Sequence, residues 1–253
     1  MRVEHKKRVA RRRVVYALYI IGLLIPLALL AVLIWAVLQT SPGENGLSPV
    51  PFIRHTPSLT LAGDNGEAPW YLRLVNSTHP LPEDWAPELS TIDPFTGEKF
   101  DSRAIEYLWD MLEDMRAQGM EPLVCSGYRS YQSQEDIFQD NVRSALEQGY
   151  SQEEAEQKAA LWVMPPGCSE HQSALAADIV SEGNQNLDES QDSTDEQQWL
   201  RQHCQEYGFV LRYPKDKTEL TGVNYEPWHY RFVGEEAARE MTAQGLCLEE
   251  YAA

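Results

Sequence analysis

The chain has 253 residues and a formal charge of −18, enough for one globular domain with accessory segments. The charge is divided. Residues 1–13 hold seven cations against Glu4, so this tail carries +6 and the remainder −24. Such an acidic body excludes nucleic acid as an expected partner, because phosphate binding needs cationic neutralisation.

In chain order, the basic tail (1–13) precedes 14–38, VVYALYIIGLLIPLALLAVLIWAVL, which has no charged side chain. As a helix this run rises about 37 Å, enough to cross the ~30 Å hydrocarbon core. A cleaved signal peptide is the rival reading. However, the run exceeds the usual ~7–15-residue apolar region, and no small-x-small cleavage site follows it. The expectation is an uncleaved single-pass anchor. The preceding Lys/Arg cluster puts the N-terminus in the cytoplasm and the body outside. Residues 39–68, rich in Ser, Pro, Gly, Asn and Thr, read as a linker, and 69–253 as the folded domain.

Trp70–Val75 reads as a short strand and 76–94 as an extended arm. Asp101 or Ser102 can cap a helix whose apolar positions are Ile105, Leu108, Trp109, Leu112 and Met115, with Gly119 as its stop. Pro122–Gly127 reads as a buried strand, with Tyr128-Arg129-Ser130 just past its end. Ser133 is expected to head one helical segment, and Ser151-Gln-Glu-Glu154 is a capping box for the next.

Leu175–Val180 alternates so that Asp178 can face a cleft while Ile179 packs inside. His171 precedes it across a turn at Ser173-Ala174. Thr194-Asp-Glu-Gln197 is another expected capping box, heading a helix that runs to Tyr207. Two further strands are expected at 208–213 and 225–233. In the second, His229, Arg231 and Val233 share a face. A final helix, Glu235–Gln244, closes the chain. An Asp in an apolar strand needs a partner, since an unpaired buried charge is costly. Together His171, Asp178 and His229 offer two imidazoles and a carboxylate, with Glu226 left free. That is the inventory of a catalytic zinc site with an open position. His79 and His203 lack such company and read as surface or structural residues.

The segments SGYRSYQSQ (126–134), SEHQSALAAD (169–178), YGFVLRYP (207–214) and EPWHYRFVG (226–234) resemble the zinc D-alanyl-D-alanine carboxypeptidases of VanY type, over about residues 70–253. The resemblance implies an α+β fold, a small antiparallel sheet flanked by helices. It implies one Zn2+ held by His171, Asp178 and His229, with Glu226 as catalytic base and Arg129 polarising the substrate. It also implies that Ser169, Gln134 and Trp228 line the substrate pocket, and that the substrate is a peptidoglycan stem peptide ending in D-Ala. D,D- and L,D-carboxypeptidase action both fit. A non-catalytic wall-binding module with a closed zinc site is the reading from a different class. Where the family has Gly after S-x-H-x-x, this chain has Ala174, which accepts positive φ poorly. Cys168 and Cys204 both depart from the small residues expected of the family. That suggests a Cys168–Cys204 disulfide and, by remainder, Cys125–Cys247, with buried free thiols as the alternative.

Overall fold

A computed structural model describes residues 68–252. The basic tail, the apolar run 14–38 and all but the last residue of the linker lie outside the described residues. Among the described residues no helix is long and apolar enough to cross a membrane.

The framework is a four-stranded antiparallel sheet in the order β3-β4-β6-β5, formed by β3 (Pro122–Ser126), β4 (Ala176–Ser181), β5 (Phe209–Leu211) and β6 (His229–Phe232). A separate hairpin joins β1 (Leu89–Thr91) to β2 (Lys99–Asp101). Strand β4 pairs on both sides and is buried from Ala176 to Val180. Its small and β-branched residues fit that double coverage.

Helix α1 (Ile105–Ala117) lays Leu108, Met111, Leu112 and Met115 into the core. That is the expected stripe, except that Trp109 stands half out and donates its Nε1–H to Ile92 O at 3.0 Å. Phe232 is central to the aromatic core. Its ring lies 5.1 Å from Tyr107 and 5.3 Å from Phe209, and burying each such ring contributes about 2–3 kcal/mol. Helices α2 (Tyr131–Glu147) and α3 (Gln152–Ala160) form a hairpin around Phe138, Val142, Ala145, Ala155 and Ala159. Helix α4 spans Asp195–His203 and α5 Thr218–Thr221. Helix α6 (Glu235–Gln244) lies where expected and packs Ala237, Ala238 and Met241 against Val210 and Val233. A short α7 (Leu248–Tyr251) follows it, unforeseen.

Several local expectations differ. Trp70–Leu72 is a 3-10 turn, closed by Leu72 N–H to Pro69 O, because Tyr71 packs on Phe232 rather than pairing as a strand. Asp101 does not cap α1. It lies in β2 and accepts from the Arg103 backbone N–H and guanidinium instead. Helix α2 starts at its cap Ser130, whose side chain accepts from Ser133 N–H. The Ser151 capping box forms in full, whereas Thr194 caps α4 from one side only. All four cysteines are free, so neither Cys168–Cys204 nor Cys125–Cys247 is a disulfide. The thiols belong to separate neighbourhoods. Cys125 lies in β3 and points its thiol at Asp178 O, Cys204 opens the turn after α4, and Cys247 caps α7. Burial pushes the thiols of Cys125 and Cys204 up to about 12.

Candidate metal centre

Strand register builds the centre. Asp178 in β4 is the cross-strand partner of His229 in β6 on one side and of Ser126 in β3 on the other. The alternation of both strands turns the Asp178 and His229 side chains to the same side. His171 arrives from the 3-10 turn Glu170–Ser173, just before β4. Its backbone carbonyl accepts from Arg129 N–H, and its Nδ1 lies 2.7 Å from Gly127 O. That contact leaves Nε2 facing Asp178 Oδ2 at 3.3 Å.

His229 is oriented the other way. Its Nδ1 lies 3.0 Å from Asp178 Oδ1 and 3.5 Å from Glu226 Oε2. One ligand atom from each of His171, Asp178 and His229 falls within 4.8 Å of the others, and all three residues are buried. Asp178 Oδ1 has no hydrogen-bond partner, although His229 Nδ1 lies 3.0 Å away. A buried carboxylate between two imidazole nitrogens, with one oxygen orphaned, fits a divalent cation. Two nitrogens and one oxygen suit zinc.

The electrostatics agree. Burial lowers the His171 imidazole. Burial alone would raise Asp178, but the two histidines outweigh it and hold the carboxyl low. Burial would likewise lower His229, yet Asp178 and Glu170 lift it to about 9. A positive charge is thus wanted between these carboxylates, and a bound cation would take the place of that proton. Glu226, behind the turn closed by His229 N–H to Glu226 O, is pushed up to about 8, chiefly by burial.

These residues line one cleft of about 260 Å3. Arg129, Gln134, Ser169, Trp228 and Glu226 all border it. Arg129 is fixed by donating to Gln134 Oε1 at 2.8 Å and Ser126 Oγ at 2.9 Å. Gln134 is itself committed, its amide donating to Met164 O at 2.6 Å. Trp162 and Leu187 stand half-exposed at the rim. His79 is exposed, and His203 lies 2.9 Å from Glu206. Neither of the two borders the cleft.

Ala174 takes the left-handed conformation, φ 61°, alone among the described non-glycine residues. The turn therefore does need the geometry that Gly would supply.

Sequence reading missed Glu170. It is fully buried and its Oε1 accepts from Arg212 Nε at 2.8 Å and Arg231 Nη1 at 2.7 Å. Burial alone would raise its carboxyl, but the two guanidiniums hold it well below the usual range. One signal was available: Arg231 shares a face with His229 in an apolar strand, which demands a buried counter-charge.

A sequence profile described as "VanY: D-alanyl-D-alanine carboxypeptidase" matches residues 97–235. The chain is similar to a D-alanyl-D-alanine carboxypeptidase of Enterococcus faecalis (strain ATCC 700802 / V583), with 42% identity over 195 residues, 77% of this chain and 70% of that protein. It is similar to the vancomycin-resistance D,D-pentapeptidase VanY from a VanB-type cassette, solved with Zn(II). That match has a TM-score of 0.65 and 42% identity, over 73% of this chain and 100% of the other. The LdcB LD-carboxypeptidase matches with a TM-score of 0.63 and 36% identity, over 71% of this chain and 84% of its own.

Proposed function

Because this chain belongs to the VanY family of D-alanyl-D-alanine carboxypeptidases, we propose that it is a zinc-dependent carboxypeptidase that removes the terminal D-Ala from peptidoglycan stem peptides. We further propose that residues 14–38 anchor it with the catalytic domain outside the membrane, where those stems lie. The apolar run and its basic flank support that address.

The observation that carries the reading is the buried Asp178 carboxylate set between His171 and His229, its Oδ1 unsatisfied, with Glu226 beside them but outside the group of three. Those three residues would hold zinc, which when bound supplies Lewis acidity to a water and to the scissile carbonyl. Glu226 Oε2 takes the proton of the attacking water. The water oxygen adds to the peptide carbonyl, the C–N bond breaks, and Glu226 returns the proton to the departing D-Ala amine. Arg129, held by Gln134 and Ser126, keeps N–H groups for the oxyanion that develops on the carbonyl. Burial of Glu226 excludes competing water and raises its proton affinity, which favours taking the proton of the attacking water.

The test is release of D-Ala from a pentapeptide stem by the purified ectodomain, with and without chelator. Release that stops with chelator and returns with zinc is expected. Glu226→Gln should cut turnover by about 10^3-fold with zinc still bound. Zinc binding without cleavage of any stem peptide by the wild type would sink the proposal and favour a wall-binding module. The likeness to an LD-carboxypeptidase supports a second specificity, action on tetrapeptide stems. Pentapeptide and tetrapeptide hydrolysis measured side by side distinguishes the two.

A further inference from the structure

We propose that Glu170 is a positioning residue for His229: its Oε2 accepts the Nε2–H, fixing the tautomer that leaves the Nδ1 lone pair for the metal. The inference rests on the zinc reading above and deepens it. His229 presents Nδ1 to Asp178 and Glu226, so its other nitrogen must carry the proton if Nδ1 is to be a ligand. Which nitrogen is protonated is set by the hydrogen bond the other ring nitrogen makes. His229 Nε2 is buried without a hydrogen-bond partner. Glu170 Oε2 is buried without one too, and the two atoms lie 3.6 Å apart. A shift of about half an ångström makes a normal hydrogen bond.

The two oxygens of Glu170 have separate tasks. Oε1 already takes both guanidiniums, which leaves Oε2 for the imidazole alone. The guanidiniums are themselves held. Arg212 donates to both oxygens of Glu249, at 2.8 and 2.6 Å. Arg231 donates to the carbonyls of Tyr71, Arg73 and Phe232. Glu170 therefore cannot swing from His229 without stranding two buried cations. The partner of His171 is different, the neutral carbonyl of Gly127. A carboxylate behind His229 makes this imidazole the more basic of the two.

Glu170→Gln keeps the shape and removes one acceptor. With its oxygen left to the arginines, the amide N–H groups would face Nε2–H, and His229 would favour the proton on Nδ1, where the metal binds. The zinc dissociation constant, measured by competition with a chromophoric chelator, is expected to rise about 10- to 100-fold in folded Glu170→Gln. At saturating zinc, kcat should fall with KM unchanged. In zinc-loaded wild type, 15N NMR of the imidazoles should show His229 protonated on Nε2. A wild-type spectrum lacking that Nε2–H overturns the inference, and it decides the matter even if the variant does not fold. So does a folded Glu170→Gln whose zinc affinity stays within about twofold of wild type. Wild-type protein that binds no zinc removes the zinc reading as well, whereas tight wild-type binding with an unaltered variant removes only the role of Glu170.

Discussion

Ala174 shows how a single residue can sit against its own preference. Its φ of 61° costs an L-residue about 1–2 kcal/mol, and the turn accepts this because Ala174 O receives Asp101 N–H and the residue leads directly into β4. Replacing it with Gly relieves the strain but deletes a buried methyl worth about 0.8 kcal/mol. Strain relief is the larger effect, so Ala174→Gly should stabilise the domain by up to about 1 kcal/mol, read as a higher melting temperature with D-Ala release unchanged. An equal or lower melting temperature would show that the methyl contact outweighs the strain. Asp178 could be picked out as a charge in an apolar strand, and His171, His229 and Glu226 at positions a family motif marks. Glu170 escaped because its arginine partners lie 42 and 61 residues further along the chain.

Elements meet at two joints. The first is between β2 and the loop after β3. A Cβ on Gly127 would meet Lys99 O at 2.3 Å, and the same residue offers its carbonyl to His171. Gly127→Ala must push the loop off β2 and carry that carbonyl with it. A loss of about 1–3 kcal/mol is expected in thermal melts, with weaker zinc binding, since His171 loses its fixed orientation. The second joint is between α7 and the residue that follows β5, where Glu249 grips Arg212. Burial would raise the Glu249 carboxyl, but Arg212 outweighs it and draws it down. A depressed carboxyl contributes stability above its unfolded value of 4.5 and loses it as the pH falls through the lower folded value. Glu249→Gln should therefore be less stable than wild type by about 2 kcal/mol at pH 7. The gap should narrow below pH 4.5, and a constant gap across an acid titration would refute the role of charge. Element types were mostly legible. The helices declared themselves by periodicity and caps, and β4 and β6 by alternation. The β1–β2 hairpin (read in part as an extended arm), α5 (read as a turn), the 3-10 turns and α7 were not, because tertiary packing decides them.

Across the whole molecule, the sheet gathers Asp178 and His229 from strands about fifty residues apart, and the turn before β4 adds His171. A ligand that binds only this arrangement stabilises it by mass action, about 2.7 kcal/mol at a hundred times the dissociation constant. For a domain of this size that corresponds to roughly 5–10 °C of melting temperature. Chelator should lower the melting temperature by that amount and added zinc should restore it, as calorimetry can measure. The order of strands in the sheet could not be read from the sequence, since it depends on pairing between distant segments. That β4 turns Asp178 toward a cleft could be read.

The antiparallel register that sets Asp178 opposite His229 has one more consequence. Sliding β6 past β4 by a single residue would bring Tyr230 opposite Asp178 and turn the imidazole to the far side of the sheet. Mispaired chains would then be blind to zinc, however compact they became. Metal uptake is thus a proofreading signal for strand pairing, and in a refolding preparation the fraction that retains zinc after gel filtration should measure the correctly paired molecules.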